Sequence, residues 1–214
     1  MKGRLITFEG IDGCGKTTHS KKLKDYLLKK GYKVLLLREP GGEKIAEKIR
    51  RILLSDKNKK IAPLAELFLY NASRAQLVET VVLPALKDGK MVICDRFYDS
   101  TLAYQGYGRG LNKGVIKCLN QIAANGIIPN LTILIDLPPL VALKRKGKTG
   151  VIKDRLEQEN LDFHKKVRNG YLKIASINKR RFRIVDAKRN INDTWSGVKK
   201  AMDDFLKKRN QNVR

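Results

Sequence analysis

Residues 10 to 17 read GIDGCGKT, three glycines followed directly by a lysine and a hydroxyl. This is the spacing G-x-x-x-x-G-K-[ST], and its flanks agree with it: an apolar β-rich run before, a helical pattern after. The glycines let successive backbone N–H groups turn inward toward phosphate oxygens, and the helix beginning near Lys16 adds the positive end of its dipole. Lys16 is then positioned for terminal phosphates and Thr17 for Mg²⁺. The competing reading is a glycine-rich turn that matches by chance. Cys14 reads as a small residue packed beside the phosphates, although a thiol near a helix N-terminus can be activated.

The stretch ICDRFYDSTLAYQGYGRG, residues 93 to 110, opens as a buried strand and continues as what reads as a polar, aromatic, glycine-rich loop. In an open α/β sheet ligands bind at the carboxyl ends of the strands. Asp95 and Arg96 therefore emerge beside the phosphate loop, a carboxylate for a metal ion and a guanidinium for a transferred phosphate. A structural ion pair at a strand end is the alternative.

The elements that must carry these groups alternate along the chain. Strands are predicted at Leu5 to Glu9, Val34 to Leu37, Met91 to Cys94, Leu131 to Leu137 and Phe182 to Val185. Helical patterns run over Lys16 to Lys30, Lys44 to Leu54, Leu64 to Lys87, Lys113 to Ala124, Leu140 to Lys146, Glu157 to Asn178 and Asn192 to Arg209. Continuous apolar strands separated by helices predict a parallel sheet covered on both faces, hence an α/β fold. No repeat, low-complexity linker or composition shift marks a boundary, so residues 1–214 read as one domain. KRKGKTGVIKDR, residues 144 to 155, is basic, contains glycine and lies between helical patterns. By composition it is a mobile surface loop.

Hydrophobic residues form 42% of the chain and charged ones 31%, the composition of a globular protein. No apolar run reaches the roughly 18 residues of a membrane span, and no signal-peptide core opens the chain, so the expected address is the cytoplasm. Cys14, Cys94 and Cys118 match neither a zinc site nor a redox pair, which predicts free thiols and no structural metal. The net charge of +25 suits an anionic partner, but the lysines are dispersed over predicted helices without a nucleic-acid motif. A solvated basic surface is the preferred reading; a nucleic-acid-stimulated ATPase is the other.

Taken together, six stretches resemble the thymidylate kinase family in order along nearly the whole chain: FEGIDGCGKTT, REPGG (Arg38 to Gly42), EKIR (Glu47 to Arg50), YNASRAQ (Tyr70 to Gln76), CDRFYDSTLAYQG (Cys94 to Gly106) and DRLEQENLDFHKKVRNGY (Asp154 to Tyr171). The resemblance implies a three-layer P-loop kinase fold with a five-stranded parallel sheet flanked by helices and a short mobile lid at about 144–156. It implies Mg²⁺-dependent transfer of the γ-phosphoryl of ATP to dTMP, by a homodimer. A related kinase with a different acceptor is the alternative.

Carried over residue by residue, ATP binding falls to Gly10, Ile11, Asp12, Gly13, Cys14, Gly15, Lys16, Thr17 and Thr18, and Mg²⁺ to Thr17 and Asp95, directly or through water. Binding of dTMP falls to Asp12, Glu39, Arg50, Tyr70, Arg74, Arg96, Thr101, Tyr104 and Gln105. Within that set Arg50 and Arg96 meet phosphate, Asp12 the 3′-hydroxyl side, Arg74, Thr101 and Gln105 the base, and Tyr104 the sugar 2′ position. Tyr70 stands where the family usually stacks a phenylalanine on the base, while the neighbouring Phe68 reads as ordinary apolar helix face. The phosphate loop lacks the arginine that some members carry there. The sequence therefore resembles the type with catalytic arginines in the lid, with Arg155 the first choice and Arg145 the second, beside Lys16, Asp12 and Arg96. After REPGG the chain has Glu43 and Lys44 in place of a small residue, which suits a helix start.

Overall fold

The computed structural model describes residues 3–58, 60–147 and 154–211, with side chains at 146, 147 and 208–211 left aside. Five strands, β1 (Arg4–Glu9), β2 (Val34–Arg38), β3 (Met91–Asp95), β4 (Leu131–Asp136) and β5 (Phe182–Asp186), form one parallel sheet in the order β2-β3-β1-β4-β5. The five predicted strands are all present, each within one residue or so of its expected ends. Phe8 of β1 and Arg38 of β2 both align with Asp95 of β3, so three strand ends open at one edge.

Alternation along the strands sorts the core into two layers. Ile6, Phe8 and Ile93 point into one cluster with Leu23 and Leu27 of α1 (Lys16–Lys29) and with Val198 and Met202 of α9 (Ile191–Gln211). Leu5, Val92 and Cys94 point into the other, against Leu77, Val78, Val82 and Ala85. The period of two in the strands thus buries both faces.

The remaining helices are α2 (Lys44–Leu54), α3 (Pro63–Leu77), α4 (Leu83–Lys87), α5 (Tyr98–Thr101), α6 (Lys113–Ala123), α7 (Pro139–Gly147) and α8 (Leu161–Ile177). Glu43 is the N-cap of α2: its Oε2 accepts from the N–H groups of Ile45 at 2.9 Å and Ala46 at 3.2 Å. The long helical pattern ending at Lys87 is interrupted by a π-turn at Val78–Val82, immediately before α4. Pro84 has no N–H to give to the ladder, and a wider turn absorbs the missing bond. α8 starts at Leu161 rather than Glu157 because Asn160 caps it, its Oδ1 accepting from Phe163 N at 2.9 Å.

The segment expected to be a loop after β3 is helical instead. α5 runs directly into a π-helix at Leu102–Gly108. Its polar and aromatic residues, Tyr104 and Gln105 among them, are buried and satisfied by distant side chains, which composition alone does not reveal. The centre of the expected lid, residues 148–153 with Lys148 and Lys153, lies outside the described residues, as does the side chain of Lys146.

Candidate active site

A cavity of about 910 Å³ opens at the carboxyl edge of the sheet. Its floor is the phosphate loop between β1 and α1. Gly10 has φ 137° and Gly13 φ 77°; a Cβ at either would lie 2.5 Å from Ile135 O or 2.7 Å from Ala142 O. Only glycine fits at these two positions. Lys16 Nζ donates to Ile11 O at 2.8 Å and stands 3.9 Å from Asp12 Oδ1, so the ammonium is held along the loop. Thr18 is exposed on the first turn of α1 and lines the cavity with Asp12, Gly13, Gly15, Lys16 and Thr17.

At the end of β3, Thr17 Oγ1 donates to Asp95 Oδ2 at 2.5 Å. Two hard oxygens beside a phosphate loop suit Mg²⁺, which takes one or two protein oxygens and completes its octahedron with water and phosphate. Among the described residues no group of three or more His, Cys, Asp or Glu could hold a metal unaided. The donor set therefore fits a metal shared with a bound nucleotide.

Arg96 follows Asp95 with φ 73°, a left-handed conformation that is uncommon for a residue with a side chain. Its guanidinium is held from several sides. Nη1 donates to Gly10 O, Ser100 Oγ and Tyr171 OH, each at 3.1 Å, and Nη2 donates to Tyr104 OH at 3.1 Å and to Asp12 Oδ1. Tyr104 OH in turn donates to Asp12 Oδ2 at 2.7 Å. Burial pushes the Asp12 carboxyl up, but the Arg96 guanidinium and the Lys16 ammonium outweigh it and hold the group well below the usual carboxylate range. Asp12 is an anion with both oxygens engaged. Cys14 is buried and its thiol is pushed up by that burial, so it is an inert packing residue.

Beneath Arg96 lies Glu9, the last residue of β1 and fully buried. It accepts from Phe97 N at 2.8 Å, Ser100 Oγ at 2.6 Å and Tyr171 OH at 3.0 Å. Burial first, and then the charge of Asp99, push its carboxyl up to about 7. Sequence reasoning missed Glu9, Ser100 and Tyr171. The available signal for the first was a carboxylate closing an otherwise apolar strand.

The opposite wall carries Glu39, Arg50, Tyr70, Thr101, Tyr104 and Gln105. Arg50 Nη1 donates to Pro40 O at 2.8 Å, which aims the guanidinium across the loop after β2. Burial pushes the Tyr70 hydroxyl up, so it stays neutral. Arg74 is not in the wall. It is 2% exposed and stands behind Thr101, donating to Thr101 Oγ1 at 3.0 Å, to Glu39 Oε2 at 2.8 Å and to Asn120 Oδ1 at 3.1 Å. Its guanidinium sets Glu39 and Thr101, two residues that line the cavity. Glu39 keeps its second oxygen, Oε1, without a hydrogen-bond partner among the described residues.

The two arginines expected of the lid diverge. Arg145 lines the cavity and is fixed by Nη2 donating to Lys188 O at 3.2 Å and Arg189 O at 2.9 Å. Arg155, the first choice for catalysis, is turned away and 6% exposed; it donates from Nε to Leu53 O at 3.0 Å and from Nη2 to Glu66 Oε2. A buried carboxylate on α3 captures it. Glu66 was not anticipated either; the signal was a lone acid within the apolar run LAELFLY. Phe68, read from the sequence as ordinary apolar helix face, is 51% exposed.

Comparison with known proteins gives one answer. The family model described as thymidylate kinase matches residues 8–197. The thymidylate kinase of Thermoanaerobacter sp. (strain X514) is 53% identical over 208 residues, covering 97% of this chain and 99% of that protein. That of Caldanaerobacter subterraneus subsp. tengcongensis is 50% identical over 208 residues, covering 97% and 98%. The crystal structure of thymidylate kinase from Ehrlichia chaffeensis superposes with a TM-score of 0.78 at 34% identity, covering 94% of this chain and all of the other. A phosphate loop, a strand-end Asp-Arg pair and a polar wall meet in one cavity, and the chain belongs to the thymidylate kinase family.

Proposed function

We propose that this protein transfers the γ-phosphoryl group of ATP to dTMP, giving ADP and dTDP. The observation that carries the reading is that the phosphate loop and the acceptor wall share one cavity, with Arg96 and Asp12 between them. At about 910 Å³ the cavity is large for one small ligand and suits two nucleotides end to end.

Phosphoryl transfer asks for positioning and charge neutralisation rather than covalent chemistry. Lys16 and the loop N–H groups hold the donor phosphates. Arg96, fixed by Asp12, Tyr104, Ser100 and Tyr171, faces the group in transit, and Arg50 holds the acceptor phosphate. Thr17 and Asp95 would hold Mg²⁺, which when bound neutralises charge on the phosphate oxygens. Tyr70 offers a ring face to the base, Thr101 and Gln105 its polar edge, and Tyr104 crowds the sugar. Arg145 is the lid-side cation that reaches the cavity. Substrates of this kind belong in the cytoplasm, and no helix among the described residues is long and apolar enough to cross a membrane.

A homodimer is part of the same proposal. Three neighbouring helices carry exposed apolar residues at helical spacing: Ile45 and Ile52 on α2, Leu64 and Phe68 on α3, Val115 and Ile122 on α6. Such a contiguous face suits a second copy of this chain. Light scattering is expected to give twice the chain mass, and Phe68→Glu to give a monomer.

The activity is tested with purified protein, ATP and Mg²⁺ against a panel of monophosphates. Phosphorylation of dTMP well ahead of dUMP, dCMP and dGMP is the expected result. Equal use of all four overturns the acceptor assignment.

A further inference from the structure

Glu66 is fully buried on α3, within the wall that carries the base-facing residues. Arg155 Nη2 donates to its Oε2, and Arg109 approaches at 3.4 Å from Nε to Oε1 and 3.5 Å from Nη2 to Oε2. Gln105 Nε2 donates to Oε1 at 2.8 Å. A carboxylate between two guanidinium groups offers only acceptors, so the amide must present its NH₂ to it. The other arm of the amide, Oε1, has no hydrogen-bond partner among the described residues, and Gln105 lines the cavity. Turning the amide over would set a carbonyl against a buried carboxylate, which the pairing forbids.

The neighbouring polar group is fixed as well. Thr101 Oγ1 accepts from Arg74 Nη2 at 3.0 Å, which leaves its own proton free to donate. The wall therefore offers an acceptor, Gln105 Oε1, beside a donor, the Thr101 hydroxyl. A pyrimidine with a protonated N3 next to a 4-carbonyl presents the complementary pattern. Cytosine, with a bare N3 beside a 4-amino group, presents the reverse.

We propose that Glu66 is a positioning residue for acceptor selection: it locks the Gln105 amide with Oε1 toward the cavity, so that the site takes the imide edge of thymine or uracil and rejects cytosine. This rests on the dTMP reading above. Glu66 touches no substrate; it acts through Gln105, and Arg155 and Arg109 pair with it.

The test is steady-state kinetics of the full-length protein with ATP and Mg²⁺, using dTMP and dCMP as acceptors. Glu66→Gln frees the amide to turn. Its ratio of kcat/KM for dTMP over dCMP is expected to fall by about tenfold or more, the size of one mispaired hydrogen bond, chiefly through KM for dTMP. KM for ATP should stay within about twofold, which a general loss of structure would not allow. The reciprocal exchange, Glu66→Gln with Gln105→Glu, restores a fixed acceptor toward the cavity and is expected to recover the preference. Where Glu66→Gln does not fold, Gln105→Met removes the amide and leaves the ion cluster intact, and the same loss of ratio is expected. An unchanged ratio in Glu66→Gln or in Gln105→Met overturns the proposal. Equal use of dTMP and dCMP by the unsubstituted protein overturns the dTMP reading itself, before any variant is made.

Discussion

The Tyr104 hydroxyl donates to Asp12 Oδ2 at 2.7 Å, joining the π-helix of the acceptor wall to the phosphate loop. The same ring lies edge-on to Phe163 and Tyr171, with centroids 6.1 Å and 6.3 Å away. Its two parts therefore do separable jobs. Tyr104→Phe keeps the ring and removes the bond to a charged acceptor, worth roughly 1.5–3 kcal/mol. The expected outcome is a kcat about 10- to 100-fold lower with the preference for deoxyribose over ribose retained. Tyr104→Ala is expected to lose both, as measured with dTMP and its ribonucleotide counterpart.

Lys16 Nζ is held by Ile11 O at 2.8 Å and is 6% exposed, and it is the cation proposed to hold the donor phosphates. Lys16→Ala is expected to lower kcat by roughly 100-fold or more, as removal of a preorganised cation does, with KM for dTMP nearly unchanged. Circular dichroism should show the same fold.

Arg155 and Arg145 are expected to separate by the kind of damage their removal does. Arg155→Ala strips one partner from the fully buried Glu66, a loss of about 3 kcal/mol and, for a chain of this size, a melting point lower by roughly 6–12 °C. Arg145→Ala, at a cavity rim, should leave the melting point within a few degrees and raise KM for ATP. Thermal melts and ATP titrations of the two variants check this, and the opposite pattern would return Arg155 to the catalytic role.

Glu9 gives stability a pH dependence with a defined sign. Its folded-state proton is retained up to about 7, against 4.5 for an ordinary glutamate, because burial disfavours the charge. Between these values the folded protein binds more protons than the unfolded chain, so this contribution to stability declines as pH rises through about 7. Glu9→Gln removes the titration. The melting point of the native protein relative to that variant is expected to fall between about pH 5 and pH 8, and a flat difference would contradict the raised value.

Glu43→Ala removes both hydrogen bonds that the α2 N-cap accepts. A small drop in the melting point is expected, with kinetics unchanged.

How far the sequence carried can be read from particular residues. The phosphate loop and the five strands were legible because glycine spacing and apolar runs are local signals. Asp95 and Arg96 followed from the rule that strand ends make sites. Arg74 and Arg155 were legible as arginines near a site but not by direction. Arg74 is held behind the cavity wall by Glu39 and Thr101, and Arg155 is held off the cavity by Glu66, partners far off in the chain. The helical turn at 98–108 was misread for a similar reason, since its polar residues are satisfied by partners up to 92 positions away. Pairings at such separations leave no periodic trace.

The strained backbone at Arg96 has a mechanical meaning. Its guanidinium clasps Gly10 O and Asp12 on one side and Ser100 and Tyr104 on the other. Donor floor and acceptor wall are thereby riveted at a spacing that protein contacts alone determine, like the jaws of a fixed-gap gauge. With donor and acceptor bound as proposed, the gap between them is set before either arrives, and the binding energy of each is left for alignment rather than assembly.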